Sequence, residues 1–465
     1  MPLPPAYWRC GWSGPMPCSM RWRGALPWPL SSITSPATSA GPAQPNGDRQ
    51  SKEQAMFRVS LFACAGLLLA FPAVAQDAPA QGQVPTFEAE PDQPVCRGAS
   101  GYAADFDGAR TFLWRPRWVE AMLADEAMKA RVIREGEAAL DNGPYSVTDK
   151  PAPVPGASPN AYASIGPYWW PDPSQRDGLP YARRDGEVNP ERDGPEFDKS
   201  RLRDLSNDMR ALALAYRATG DERFAEHAMA LARVWFVDDA TRMEPHFNFA
   251  QGIPGKVNGR GEGIIEASHL STIVEALGLL RPSPAYNQAD ENALRQWYGD
   301  FAVWMATSEI GEEEMAKTNN HGVFYDFYLA HFALFAGAPD IVGNVGGNFP
   351  RYRLGVQMDR QGRFIDELRR TRSWHYSHYV VNGAARLATI AECAGLDLWD
   401  ARLEDGRGLA TAQAFLARYG GDPSAWPFPD RDLAAGRIER MEAIRDELAV
   451  LLRAQAAPAD LAQLP

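Results

Sequence analysis

Two short stretches hold the residue types that proton transfer needs. Asn319-Asn320-His321-Gly322 places two amides and an imidazole directly before an aromatic run, Val323-Phe324-Tyr325-Asp326-Phe327-Tyr328. About fifty residues later, Arg369-Arg370-Thr371-Arg372-Ser373-Trp374-His375-Tyr376 adds three guanidiniums, a second imidazole and a phenol. Amides and guanidiniums can neutralise a carboxylate, and an imidazole or phenol can take a proton from the carbon beside it and return one to a departing oxygen. Each stretch also has an ordinary explanation. Asparagine is a frequent helix cap, and a run of arginines is usually a solvated face. Here the arginines stand beside the interleaved imidazoles and aromatics His375, Tyr376, His378 and Tyr379 at the start of an apolar helix, which favours a binding site. The aromatic run after His321 likewise puts backbone N–H groups of a helix start beside the first stretch, where anions are favoured.

Two loops supply further candidates. Gly166-Pro167-Tyr168-Trp169-Trp170-Pro171-Asp172-Pro173 lies within a Pro-, Gly- and Asp-rich stretch from Tyr145 to Asp198. A loop this long inside a domain is usually functional or disordered, and a disordered one would hardly concentrate aromatics. Tyr168, Trp169 and Trp170 either offer flat faces to sugar rings or plug the loop onto the core; one Trp in each role is a third reading. The glycine-rich stretch Asn248 to Gly261 carries the donors Gln251, Lys256, Asn258 and Arg260 but lacks the context and GKS/GKT ending of a phosphate loop. A substrate-lining loop is preferred over a purely structural connection. Asn319, His269, Arg369, Arg372 and His375 complete the binding candidates. The seven histidines show no HExxH or comparable ligand spacing, so no metal or other cofactor is expected.

Helices must position these groups. Apolar residues recur at helical spacing over 116–140, over 202–216 and 224–235 as a hairpin, and over 268–281 and 289–306. Similar patterns cover 322–336, 377–395, 408–418 and 431–454, whereas alternating β patterns are almost absent. Successive helical hairpins with long loops at one end predict an all-α fold, an (α/α) toroid or an α-solenoid.

With 465 residues, 45% hydrophobic and 11% aromatic, the chain is long enough for a substantial core. Residues 1–55 follow no period and read as an upstream mis-start. From Met56, Arg58, an apolar run from Ser60 to Phe71 and Ala73-Val74-Ala75 form a secretory signal peptide over 56–75, with cleavage near Ala75 and a periplasmic or secreted destination. The alternative, an N-terminal extension with a membrane anchor, is weakened by the shortness of that run. Residues 76–100 read as a flexible lead, and 101–460 as one domain.

Beyond Ala75, Cys96 and Cys393 remain; they either pair in the oxidising compartment or stay as free thiols, because spacing does not fix disulfide geometry. The whole chain carries a formal charge of −12. Nucleic acid is therefore not an expected partner, nor is a membrane for the mature form, and a site for an anionic polymer must rely on local Arg, Lys and amide donors. The oligomeric state is left open.

Together these residues resemble the alginate lyase superfamily of polysaccharide lyases. The resemblance rests on Ser164 to Pro173, Asp185-Gly186-Glu187-Val188-Asn189-Pro190, Asn319-Asn320-His321-Gly322, and Arg370-Thr371-Arg372-Ser373 with Tyr376, spanning most of 145–400. It implies an (α/α) toroid whose cleft takes uronic-acid polymers such as alginate or glucuronan, with Asn320, His321, Arg370 and Tyr376 catalytic. Alginate lyases of the superfamily space their Arg and Tyr seven apart. Arg370 and Tyr376 are six apart and Arg369 would restore seven, which also suggests a sister family.

The implied chemistry can be argued on its own terms. A C5 proton beside a carboxylate leaves only if that carboxylate is neutralised, a task suited to Asn320 and Arg370. In mannuronate and glucuronate the C5 proton and O4 share a face, so Tyr376 could act as base and then acid, given a phenol pKa lowered from about 10 by nearby Arg and His. In guluronate they lie on opposite faces, and His321 is the second base. Two other readings compete. A glycoside hydrolase would need two carboxylates across a cleft, drawn from Asp172, Glu187, Glu266 and Asp326. A non-catalytic periplasmic binding protein would retain the polymer without cleaving it.

Overall fold

The computed structural model describes residue 84, residues 96–97, residues 102–103 and residues 106–448. The expected mis-start and signal peptide, most of the expected lead and the chain after 448 lie outside the described residues. The apolar period over 116–140 folds as two helices, α1 (Pro116–Ala124) and α2 (Glu126–Ala139). Asp125 divides them: its backbone is extended, ψ 117°, and its carboxylate caps α2 by accepting from the Met128 N–H.

Long hairpins follow: α3 (Lys199–Thr219), α4 (Glu222–Phe236), α5 (Ser268–Leu280) and α6 (Gln288–Thr307). Next come α7 (Glu309–Met315), α8 (Asn320–Ala336) and α9 (Pro339–Phe349), then the short α10 (Gly355–Gln357) and α11 (Ile365–Leu368). The long α12 (Ser373–Ala391) is followed by α13 (Leu409–Gly420), α14 (Arg431–Ala434) and α15 (Ile438–Leu448). Helix α7, unannounced by any long period, is too short for a periodic signal, and α9 is glycine-rich.

Helix α8 lies at the centre. Every residue from Gly322 to Ala336 is buried, as expected of a helix apolar on all sides. It packs on α6, α9 and α12, while α3 joins α2, α4 and α5. Gly383 lets α12 approach: a Cβ there would lie 2.9 Å from the Phe324 ring, so a larger residue would push the two site-bearing helices apart. Each buried Phe or Leu contributes about 1.5–3 kcal/mol relative to exposure, and α8 carries six: Phe324, Phe327, Leu329, Phe332, Leu334 and Phe335, with the smaller Val323 beside them.

The strands are two to four residues long, too short to show a period of two. They are β1 (Cys96–Arg97), β2 (Tyr102–Ala103), β3 (Ala163–Ile165), β4 (Trp169–Trp170), β5 (Ala182–Arg183) and β6 (Phe249–Gly252). Among the described residues they form three two-stranded sheets: β1 with β2, β3 parallel with β6, and β4 antiparallel with β5. The β3–β6 pair brings the Trp loop and the glycine-rich loop to one rim. Cys393 is disulfide-bonded, which excludes the free-thiol reading for it, and β1 packs against the turn Glu392–Ala394 that carries it.

Candidate active site

The starts of α8 and α12 face a cleft of about 520 Å³, and the Trp loop and glycine-rich loop form its rim. Its lining includes Tyr168, Trp169, Gln251, Arg260, Asn319, Asn320, His321, Arg370, His375 and Tyr376. Thus the two stretches, about fifty residues apart in sequence, line one cavity.

On the α8 side, Asn319 caps the helix by accepting from the His321 N–H (3.0 Å). Before it, the chain is pinned by Arg353, which bonds Asp326 in the core (2.8 Å) and donates to the Met315 and Lys317 carbonyls (3.0 and 3.1 Å). Gly322 is required by that close pass, since a Cβ would lie 2.2 Å from the Lys317 oxygen. His321 Nδ1 meets Glu314 Oε1 at 2.6 Å. A carboxylate only accepts, so Nδ1 carries a hydrogen, and in the neutral imidazole the lone pair sits on Nε2. Glu314 is buried, at 1% exposure, and sequence reasoning missed it; its position seven residues before His321, across a turn between helices, gives no periodic signal.

Asn320 departs from its expected part. Its Nδ2 donates to both oxygens of Glu367 (2.9 and 3.0 Å), its backbone N–H bonds the same carboxylate, and the residue is 1% exposed. The amide hydrogens expected for a substrate carboxylate are thus committed to Glu367. Burial raises the Glu367 carboxyl above its ordinary range, against the lowering by the Asn320 bonds and by Arg370. Asn319, half-buried at the cleft, uses its oxygen for the cap and keeps Nδ2 out of it.

On the α12 side, the Arg370 guanidinium lies over the Tyr376 ring, 3.6 Å from its centroid, and bonds Asp185 at 3.0 Å. Burial disfavours the Arg370 charge, but Tyr376, Asp185 and Glu367 together raise its pKa. Arg369 points away: its side chain is 73% exposed and pairs with Asp366. The cleft therefore contains the arginine six residues before Tyr376, not the one seven before.

Tyr376 Oη bonds Tyr168 Oη at 2.7 Å. The expected lowering of its pKa is reversed. Burial, then Tyr168, push the phenol well above its ordinary value and outweigh Arg370. His375 cannot help, because burial and the charges of Arg372 and Arg370 push its pKa down to about 3, keeping it neutral. It stacks on Tyr379 with an interplanar angle of 14°.

The loops divide between function and support. Trp169 lines the cleft with Lys256 Nζ 4.4 Å from its ring centroid. Trp170 does not; Arg184 lies over its ring at 5.1 Å and its indole N–H bonds the Glu187 carbonyl. Gln251 has φ +47°, a strained position for a residue other than glycine, and its side-chain and backbone oxygens accept from Arg260. Asn258 instead donates to the Pro155 carbonyl, outside the cleft lining. His269 also falls outside it: Nε2 lies 3.1 Å from Lys199 Nζ, and burial with Lys199 lowers its pKa well below the ordinary value. Arg372 turns to Asp432, at 3.2 Å, and lines a neighbouring pocket.

The four carboxylates of the hydrolase reading do not meet. Asp326 is paired with Arg353, and Glu266 accepts from Tyr162 and Ser164 inside the core. Asp172 holds Ser174 in an exposed turn, while Glu187 borders the neighbouring pocket. The carboxylate that does line the cleft, Glu262, is paired with Arg260 and Lys317.

The alginate lyase family model matches residues 146–426, more than half of the chain. No curated protein matches. Among solved structures, an alginate lyase from Bacteroides ovatus aligns at TM-score 0.68 with 32% identity, over 73% of this chain and 91% of its own. Alginate lyase A1-III from Sphingomonas species A1 aligns at TM-score 0.45 with 18% identity, over 74% of this chain and 86% of its own. The fold is the all-α, (α/α) toroid expected from the helical hairpins. This chain belongs to the alginate lyase family and is a polysaccharide lyase that works by β-elimination.

Proposed function

We propose that the cleft cleaves a uronic-acid polymer, with alginate as first substrate and glucuronan as second, and that His321 and Tyr376 divide the proton transfers. The observation that carries this is the convergence on one cleft of an imidazole with a free Nε2 and a phenol held protonated, beside Arg370. Arg370 and the Nδ2 of Asn319 receive the substrate carboxylate, while Asn320 acts from behind by fixing the turn on Glu367. As C5–H breaks, negative charge moves onto that carboxylate, where a guanidinium stabilises it most in a water-poor site. His321 Nε2 accepts the proton, and the electrons form the C4–C5 double bond as O4 departs. Tyr376 gives its phenolic proton to O4, and its phenolate forms under the Arg370 guanidinium.

This division suits guluronate, whose C5 proton and O4 lie on opposite faces. Mannuronate and glucuronate need Tyr376 to lose its proton first, so their cleavage carries an added pH-dependent cost. Trp169 and Tyr168 supply sugar-facing surface at the rim. The polymer is taken to be met in the periplasm or outside the cell after removal of residues 56–75 as a signal peptide. The test is to incubate the protein beyond Ala75 with polymannuronate, polyguluronate and glucuronan and to follow ultraviolet absorbance of unsaturated uronate. Absorbance growth on at least one polymer is expected; reducing ends without absorbance would mean hydrolysis and overturn the reading.

A further inference from the structure

A second concavity of about 470 Å³ is lined by Gly186 and Arg372, each close in sequence to the Asp185–Arg370 pair that borders the cleft. Arg372, Arg431, Arg437 and Arg440 line it, with Asp432 and Glu187 as its carboxylates. Asp432 is 2% exposed and organises the guanidiniums: Arg437 Nε and Nη2 bond it at 2.8 and 2.7 Å, Arg372 Nε at 3.2 Å, and Arg440 Nε lies at 3.6 Å. Arg431 lies 3.8 Å from Glu187. Four positive groups thus face two negative ones. Among the described contacts, Arg372 and Arg440 spend Nε on Asp432 and leave their paired terminal nitrogens for another acceptor. Such a fork matches a carboxylate.

Val188, 50% exposed, adds an apolar face to this wall, and its neighbour Gly186 joins the pocket to the Asp185 turn that holds Arg370. Three of the four arginines lie beyond residue 426, where the family match ends. In a chain of formal charge −12, a local positive excess beside the cleft is where a polyanion can be held.

We propose that this pocket is an auxiliary subsite, taking a carboxylate of the same polyuronate chain at a sugar removed from the bond being broken. It rests on the uronate reading of the cleft. The pocket raises affinity for long chains and leaves the chemical step alone, because none of Arg431, Arg437 and Arg440 lines the cleft.

The test is the double variant Arg437→Ala/Arg440→Ala, assayed on a length series from the shortest cleavable oligomer to the polymer. KM for the polymer should rise about five- to tenfold, as expected for two partly exposed ion pairs, with kcat and turnover of the shortest oligomer unchanged within twofold. Arg437→Lys/Arg440→Lys should recover part of the loss. An unchanged polymer KM, or an equal loss at every length, overturns the subsite. Electrophoretic retardation in gels containing the polymer reads binding separately from cleavage. If wild-type protein cleaves no uronate polymer, the functional reading fails, while salt-sensitive retardation lost in the alanine variant would still support the pocket. Absence of retardation in wild type would refute it.

Discussion

The two sides of the cleft hold their reacting groups in opposite ways. On the α8 side, buried carboxylates do the holding: Glu314 fixes the His321 tautomer, and Glu367 anchors Asn320 through side chain and backbone. On the α12 side, the Tyr376 phenol sits under a cation and against a second phenol, with the nearest carboxylate, Asp185, reaching it only through Arg370. Negative partners prepare a base, whereas burial and a neutral partner keep an acid protonated. In the proposed scheme donor and acceptor are therefore set before substrate arrives, and each assignment can be broken separately.

Tyr376→Phe should have the largest effect, lowering kcat by about 10³–10⁴-fold on every substrate with the melting temperature retained. Turnover like wild type would remove the phenol from the mechanism. His321→Ala should cost about 10²–10³-fold on polyguluronate and clearly less on polymannuronate; equal losses would abolish the proposed division. A third comparison uses pH. Because the Tyr376 pKa is raised, same-face elimination should accelerate about tenfold per pH unit between about pH 7 and 9, following the phenolate fraction. Polyguluronate cleavage should not follow that slope, and parallel slopes on the two polymers would contradict the scheme.

Glu314→Gln should lower kcat on polyguluronate about tenfold with little change in KM, since the amide can still accept from Nδ1 but brings no charge. An effect confined to KM would make Glu314 a binding residue instead. The smallest effect concerns stability. His375 and His378 are held neutral by burial, at about 3 and about 4, below an unfolded value of about 6.5. Their contribution is complete above about pH 6.5 and is lost as pH falls toward those values. Asp198, raised by burial to about 6 despite Lys150, works the other way over the same range. His269 is likewise held neutral, and Asp185, Glu262 and Asp432 are held low beside arginine or lysine partners, whereas Asp300, Asp326 and Glu367 are raised by burial like Asp198. With the first set dominant, the melting temperature should fall from pH 6.5 to 4, and a constant value would refute this balance.

Much of the frame was legible in the sequence because long helices write their period directly. The stretches over 202–216 and 289–306 lie within observed helices that extend them by one to three residues at each end, and 268–281 matches α5 to within one residue. Helix α7 and the short strands were not legible, since a few residues carry no period. Of the two loop tryptophans, one faces the cleft and one does not; the alternation of β4 separates them, but a two-residue strand announces no alternation. His269 and Asn258 were polar residues in the right neighbourhood that found partners elsewhere, in Lys199 and the Pro155 carbonyl.

The sequence by itself determined the helical hairpins, the two reactive stretches and the residue types available for abstracting a proton beside a carboxylate. Those follow from local period and side-chain chemistry. Only the tertiary structure decided that Arg370 faces the cleft and Arg369 the solvent, that Glu314 sets the His321 tautomer, that Asn320 is committed to Glu367, and that the Tyr376 pKa rises. Each of these depends on burial and on partners distant in the chain or across a helix turn, and a pKa follows the environment that packing creates.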